Sequence, residues 1–241
     1  MKEELRDRIK TLARWLYESR YPVVFTGAGI STESGLPDFR GPDGAWTRRD
    51  KGLPPKPMAK SWEEIEPNSG HLAILEFYKI GKLKFLISQN VDNLHLKSGI
   101  PTHLLAELHG NRAKLRCTRC EKTIGRSARQ KVCDCGGALV SSVVDFGQPL
   151  PQRDMNLAFE HSRTSDLFIV LGSSLVVTPA AEMPVEALRS GAKLIIVNKG
   201  ETPLDRFASL RFHEKIGEVF PEAVEEVKKL MNKLTLIRHS S

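Results

Sequence analysis

The 241-residue chain has 40% hydrophobic and 27% charged residues and a formal charge of +7, which suits one large soluble domain, or one domain carrying a small inserted module. No apolar run approaches bilayer length, so a transmembrane reading is excluded. Lys and Arg are scattered rather than clustered, so the positive balance reads as a solubilising surface, with weak nucleic-acid contact as the alternative.

Met1 to Arg20 is charged and amphipathic, with Leu5, Ile9, Leu12 and Leu16 at helical spacing. It shows no apolar stretch ending in a cleavage site, which predicts a cytoplasmic chain without a secretory signal and without membrane attachment. Val23–Thr26 is a strand-like run that leads straight into Gly27-Ala28-Gly29-Ile30-Ser31. A buried strand followed by Gly-x-Gly lets backbone N–H groups approach a pyrophosphate, with a helix N-terminus behind them. Glycines at such turns also serve packing alone. Thr32 stands at the third glycine position, and no acidic residue closes a second strand roughly 20 residues on, so an ordinary dehydrogenase is a poor fit.

The stretch from Arg40 to about Asn68 holds Pro54, Pro55 and Pro57 and reads as an ordered loop or lid. A helix over His71–Ile80 and a strand over Leu83–Ser88 come next. That strand ends in Gln89-Asn90-Val91-Asp92, where open α/β sheets bind ligands. Asn90 and Asp92 can hydrogen-bond an amide or a ribose, or equally cap a turn into a helix. His109 follows the apolar run Leu104–Leu108 and precedes Gly110. A neutral imidazole there could take a proton from a sugar hydroxyl near neutral pH. A lone histidine after a strand can also be structural, and His95 is the next candidate.

All four cysteines fall in one window: Cys117-x-x-Cys120, then Cys133-x-Cys135 followed by Gly136-Gly137. Four thiolates in a glycine knuckle predict one closed, structural zinc site, with a redox pair as the rival. A zinc-ribbon nucleic-acid-binding protein is a reading from another class. Lys114, Arg116, Arg119, Lys122, Arg126 and Arg129 would serve it, but no aromatic residue joins them. Beyond the window lie strands over Leu167–Leu171 and Lys193–Val197 and helices over Ala180–Arg189 and Pro221–Leu234. The alternation predicts an α/β fold, a mostly parallel sheet with helices on both faces, plus a small inserted module and a ligand cleft between the two.

From about Pro22 to Asn198 the chain resembles the sirtuin (Sir2-type) family. The residues that carry this are Gly27-Ala28-Gly29-Ile30-Ser31, Gly35-Leu36-Pro37-Asp38-Phe39-Arg40, Gln89-Asn90-Val91-Asp92, His109-Gly110, the four cysteines and Gly172-Ser173-Ser174. The resemblance implies a Rossmann-like NAD-binding domain (1–39, 83–110 and 141–241) and a small domain (40–82 and 111–140), with NAD as co-substrate. It implies that Gly27, Ala28, Gly29, Ser31, Asp38, Phe39 and Arg40 line the NAD site, Phe39 as a gate. Gln89 and Asn90 would hold the nicotinamide ribose, and Leu36 and Asp92 would face the nicotinamide. Gly172, Ser173, Ser174 and Asn198 would contact phosphates and adenosine ribose.

An acyl-lysine peptide would add as a strand between 144–148 (Val144, Phe146, Gly147, Gln148) and 175–177 (with Val177). The implied activity is protein-lysine deacylation. The acyl oxygen would capture the ribose to give an alkylimidate, and His109 would then take a hydroxyl proton. Lysine, nicotinamide and O-acyl-ADP-ribose would be released. Mono-ADP-ribosyl transfer at the same site is the near alternative. Gln148 stands where the family commonly has Glu, and Asp145 where an apolar residue is frequent. Arg40–Trp46 is similar to the nuclear branch of the family, whereas Ser173–Val177 and Pro179–Glu182 resemble bacterial deacetylases.

Overall fold

The computed structural model describes residues 3–58, 60–126, 130–145 and 147–239, with 234–239 in backbone only. Helix α1 (Glu3–Glu18) buries Ile9, Leu12, Ala13 and Leu16, a stripe that recurs one helical turn apart. It feeds β1 (Pro22–Thr26), which is buried throughout. Next come α2 (Ala45–Asp50), α3 (Ser69–Lys79), β2 (Phe85–Ser88), α4 (Leu94–Ser98) and β3 (Leu105–Glu107). Three short strands then interrupt the alternation: β4 (Lys114–Cys117), β5 (Thr123–Gly125) and β6 (Leu139–Ser141). The chain continues through α5 (Gln152–Thr164), β7 (Leu167–Leu171), α6 (Glu182–Arg189), β8 (Lys193–Val197), β9 (Leu210–Phe212) and α7 (Ile216–His239).

The main sheet has the order β3-β2-β1-β7-β8-β9, and all its pairings are parallel. This is the doubly wound order, in which chain direction across the sheet reverses between β1 and β7. Alternate side chains of one strand serve opposite faces. Val24 lies in a core with residues of α1, α3 and α7, while Val23 and Phe25 lie in another with residues of α5 and α6. Strands covered on both faces must be apolar at nearly every position, which is why β1, β7 and β8 are legible as unbroken hydrophobic runs.

The expected α/β architecture is present, with local differences. β9, α2 and α5 were not anticipated, while β3 falls on the apolar run before His109 and α4 is the helix of the capping alternative for Asp92. β3 and β9 are three residues long, and α5 buries only Met155, Ala158 and Ser162, too thin a stripe to read. The last helix begins at Ile216, so Pro221 lies inside it rather than at its start. α3 buries Ala73, Ile74 and Phe77 in the main core, so this part of 40–82 packs with the large sheet. Leu36, Ile65 and Leu94 form a separate small cluster, with Met58 and Trp62 packed against it. The second sheet, β5-β4-β6, is antiparallel. Among the described residues no helix is long and apolar enough to cross a membrane.

Candidate active site and zinc centre

Five parallel strands end on the same edge and deliver the candidate residues there. Gly27–Ser31 follow β1, Gln89 and Asn90 follow β2, His109 follows β3, Gly172–Ser174 follow β7 and Asn198 follows β8. The switch point between β1 and β7 brings two turns into backbone contact. Gly27 N–H donates to Leu171 O at 3.1 Å, and Gly29 N–H donates to Gly172 O at 2.8 Å. A Cβ on Gly29 would stand 2.7 Å from Gly172 Cα, and one on Gly172 would stand 2.3 Å from Ile30 N. Gly172 also has φ +71°. These glycines therefore have a packing requirement of their own. Instead of the expected α-helix behind the turn, Ala28–Ser34 forms a 3₁₀ segment that ends at Gly35, φ +93°.

Under this turn lies a buried polar group. Ser31 Oγ donates to Asp92 Oδ2 at 2.6 Å. Asn90 Nδ2 donates to Gly27 O and to Ser31 Oγ, both at 3.2 Å. The other Asp92 oxygen accepts Leu94 N–H at 2.9 Å, so Asp92 also fills the capping role that was its alternative reading. Gln89 Nε2 donates to Ser173 Oγ at 2.7 Å, and the same oxygen accepts Leu175 N–H. Ser31, Asn90 and Ser173 are all buried. Buried polar side chains need partners, and clustering at the ligand-binding edge of a parallel sheet fits a polar ligand.

His109 Nδ1 lies 2.7 Å from Gln89 O. A carbonyl oxygen only accepts, so Nδ1 carries the proton and Nε2 keeps a lone pair. Burial holds the imidazole below its ordinary pKa, against an opposing contribution from the Gln89 carbonyl. His109 is thus a neutral base at neutral pH. His95, the other candidate, is turned into the core, where its Nε2 lies 2.8 Å from Thr26 Oγ1 and its ring centroid 5.0 Å from that of His71. It is structural.

Asp38 Oδ1 accepts Gly41 N–H at 3.0 Å. Phe39 is exposed, its ring 4.9 Å from Trp46, while the Arg40 guanidinium lies 4.7 Å over the same indole. Trp46 thus ties together two residues expected at the site. Leu36 is buried against Ile65 and Leu94. Asn198 Nδ2 donates to Gly200 O at 2.8 Å. Arg211, which sequence reasoning missed, grips Asn198 O and Gly200 O from β9. Only the β8–β9 pairing brings it there, so no local signal could mark it.

In the expected peptide groove, Val144 N–H donates to His109 O at 3.0 Å. Gln148 folds back, its Oε1 accepting Asp145 N–H at 3.1 Å, and Gly147 has φ +82°. The described residues Asp145, Gly147 and Gln148 therefore belong to a turn rather than a strand. Phe146 lies outside the described residues, as does Arg129. Val177 is half-buried, and Leu175 adopts φ +55°, a strained value for a branched side chain.

The four cysteine sulfurs lie within 4.8 Å of one another, with Cys117–Cys135 at 3.5 Å and Cys120–Cys133 at 3.7 Å. Zinc–thiolate bonds of about 2.3 Å in a tetrahedron set sulfurs roughly 3.8 Å apart, so the set fits zinc. The tight Cys133-x-Cys135 gap closes through Gly136, φ +84°. A Cβ on Gly137 would stand 2.5 Å from Cys117 Sγ, which explains the glycine pair. The basic side chains nearby are engaged within the chain: Lys122 with Asp134, Lys114 with Glu107, Arg119 with Cys135 O and Arg126 with Arg112 O.

Fold and site define an α/β protein of the doubly wound class with its candidate ligand-binding residues gathered at the switch point and an appended four-cysteine module that fits zinc. The Sir2 family pattern matches residues 55–179. An NAD-dependent protein deacetylase of Oryza sativa subsp. indica is 45% identical over 231 residues, covering 90% of this chain and 47% of the relative. An NAD-dependent protein deacylase of Archaeoglobus fulgidus is 41% identical, covering 94% of this chain and 98% of the relative. A solved Sir2 structure with a p53 peptide and NAD+ has a TM-score of 0.71 at 37% identity, covering 94% of this chain and 98% of that one. The chain belongs to the Sir2 family. It spans about half the length of the plant relatives it matches, and nearly all of the archaeal one.

Proposed function

We propose that the chain is an NAD-dependent protein-lysine deacylase, moving an acyl group from lysine to ADP-ribose, with one water consumed and free lysine, nicotinamide and O-acyl-ADP-ribose released. The observation that carries this is the His109 tautomer: Nδ1 is committed to Gln89 O, leaving Nε2 as a base at the sheet edge. NAD supplies an activated sugar whose nicotinamide bond breaks as the acyl oxygen attacks. Relatives named deacetylase and deacylase, and the Sir2 structure with peptide and NAD+, support the same reading.

In this reading Gly27, Ala28, Gly29, Gly172, Ser173 and Ser174 receive the phosphates, and Asn198 the adenosine ribose. Gln89 and Asn90 hold the nicotinamide ribose, with Ser31 and Asp92 beside it. Asp38, Phe39 and Arg40 cover the site, and the exposed Phe39 ring excludes water from the reacting sugar. Acyl-lysine peptides lie between 144–148 and 175–177, which requires the Asp145–Gln148 turn to open. Residues 1–39, 83–110 and 141–241 form the NAD-binding domain, and 40–82 with 111–140 the small domain, α3 bracing it against the main core. A thiolate zinc site suits a reducing compartment, so we place the protein in the cytoplasm.

The test is incubation with NAD and acetyl-, succinyl- and myristoyl-lysine peptides, read by mass spectrometry. The expected result is NAD-dependent loss of acyl from lysine. ADP-ribose retained on protein, with the acyl group left in place, would replace this reading with mono-ADP-ribosyl transfer.

A further inference from the structure

His109 sits in a tight turn in which Glu107 O accepts Gly110 N–H at 2.9 Å. Gly110 has φ +76°, and a Cβ there would stand 1.8 Å from Ser142 O. The turn is thus pressed against the segment that leaves β6, and its exact seat decides where the imidazole points. What holds that seat is a charged contact between two elements. Glu107 ends β3 at the edge of the main sheet, and Lys114 begins β4 of the zinc module. Lys114 Nζ lies 2.6 Å from Glu107 Oε2, with side-chain exposures of only 20% and 12%. The second carboxylate oxygen accepts Asn111 Nδ2 at 2.5 Å.

Asn111 is fully buried and makes the contact two-sided. Its Nδ2 also reaches Asn93 Oδ1, its Oδ1 accepts Ala113 N–H, and its backbone exchanges two hydrogen bonds with Ser142 Oγ. Two of these contacts, Glu107–Asn111 and Glu107–Lys114, bridge the turn that carries His109, and the others anchor Asn111 to the segments beside it. Charge-assisted hydrogen bonds in a poorly hydrated setting are stronger and more directional than surface pairs.

We propose that the Glu107–Lys114 ion pair is a positioning element for catalysis: it locks the His109 turn to the first strand of the zinc module and so aims the imidazole. This rests on the deacylase reading. It also gives the zinc module a route to the chemistry, because Lys114 is on the same short strand as Cys117. Asp154 on α5 faces the pair as a second acid. Burial first, and then the Glu107 charge, raise it to about 6, with Arg153 and Lys114 opposing. Lys114 therefore balances two carboxylates.

The test compares Glu107→Gln, the double variant Glu107→Gln/Lys114→Met, which removes both partners of the pair, and Lys114→Arg. Melting temperature and zinc content establish which variants are folded and loaded. For Glu107→Gln or the double variant we expect kcat to fall about tenfold with KM for NAD and peptide within about twofold, the signature of a misplaced group rather than weakened binding. Lys114→Arg should retain near wild-type kcat.

The activity-free readout is the His109 titration by NMR. Loss of a nearby carboxylate by itself would move an imidazole pKa down, whereas a loosened, better hydrated His109 moves up toward about 6.5. An upward shift supports the clamp. Unchanged kcat with an unmoved or lowered His109 pKa, in a folded and zinc-loaded variant, overturns it. If wild type consumes no NAD with acyl-peptide, the deacylase reading fails instead, and the NMR shift still decides whether the pair aims His109.

Discussion

Gln89 O and His109 Nδ1 stand 2.7 Å apart, and this contact fixes the tautomer and anchors one edge of the imidazole. The carbonyl belongs to the segment that follows β2 and the imidazole to the one that follows β3, so the base is set by the register of two adjacent parallel strands.

With His109 as the proposed general base, His109→Ala should lower formation of deacylated lysine by about 10²–10⁴-fold while leaving zinc content and melting temperature unchanged. Burial lowers the His109 pKa. The active form is the neutral one, so activity is present above that pKa and is lost as pH falls through it. The acid limb of kcat should lie below the ordinary imidazole value of about 6.5. An acid limb at or above that value would contradict the buried placement.

The buried pair His71 and His95 should make the fold acid-labile. Burial lowers His95 to about 4, and burial followed by the neighbouring His95 lowers His71 to about 3. His71 Nε2 and His95 Nδ1 are buried without a hydrogen-bond partner. Their folded pKa values lie below the unfolded value, so the unfolded chain binds more protons between them. Stability is complete above about 6.5 and declines as pH falls toward 4, by on the order of 3 kcal/mol for each histidine. Urea unfolding at pH 7, 6, 5 and 4.5 measures this, and a flat midpoint across that series would count against it.

Removal of zinc should unfold the β4–β6 module. We expect about one zinc per chain. Cys117→Ser should lose metal and misfold rather than show a clean catalytic defect, because metal binding and folding are one equilibrium at such sites. Metal analysis with circular dichroism reads both. Full activity in a metal-free chain would remove the zinc assignment.

Gly172→Ala should be destabilising well beyond an ordinary surface change. Its φ of +71° and the 2.3 Å approach to Ile30 N leave no room for a methyl group. Backbone strain of this kind costs of order 1–3 kcal/mol, and relief by displacement would part the two turns at the switch point. Thermal melts and NAD titration should both report a loss. A variant with wild-type values in each would show that the contact is not tight.

The doubly buried strands β1, β7 and β8 were legible because both their faces demand apolar residues. The cysteine window was legible because thiolate ligands must be close in sequence to close a small knuckle. Local order also marked Gly27–Ser31, Gln89–Asp92 and His109 as candidates. It put His109 ahead of His95 on its place before the cysteine window, but could not show what each ring meets, because that is set by strand partners distant in the chain. His95 meets Thr26 across the sheet interior, and His109 meets the carbonyl of Gln89 at its edge. Nor could it find Arg211 or Trp46, whose partners come from loops and pairings distant in the chain or set by backbone geometry.

What the chain alone determined was its class: alternating strands and helices, a metal knuckle, and a set of family motifs, all carried by patterns repeated within a few residues. What only the tertiary structure decided was the protonation of the base, the packing duty of Gly29 and Gly172, and the contact of Glu107 with Lys114. Those depend on distances between segments far apart in sequence, which hydrophobic burial and strand register settle together and no local pattern encodes.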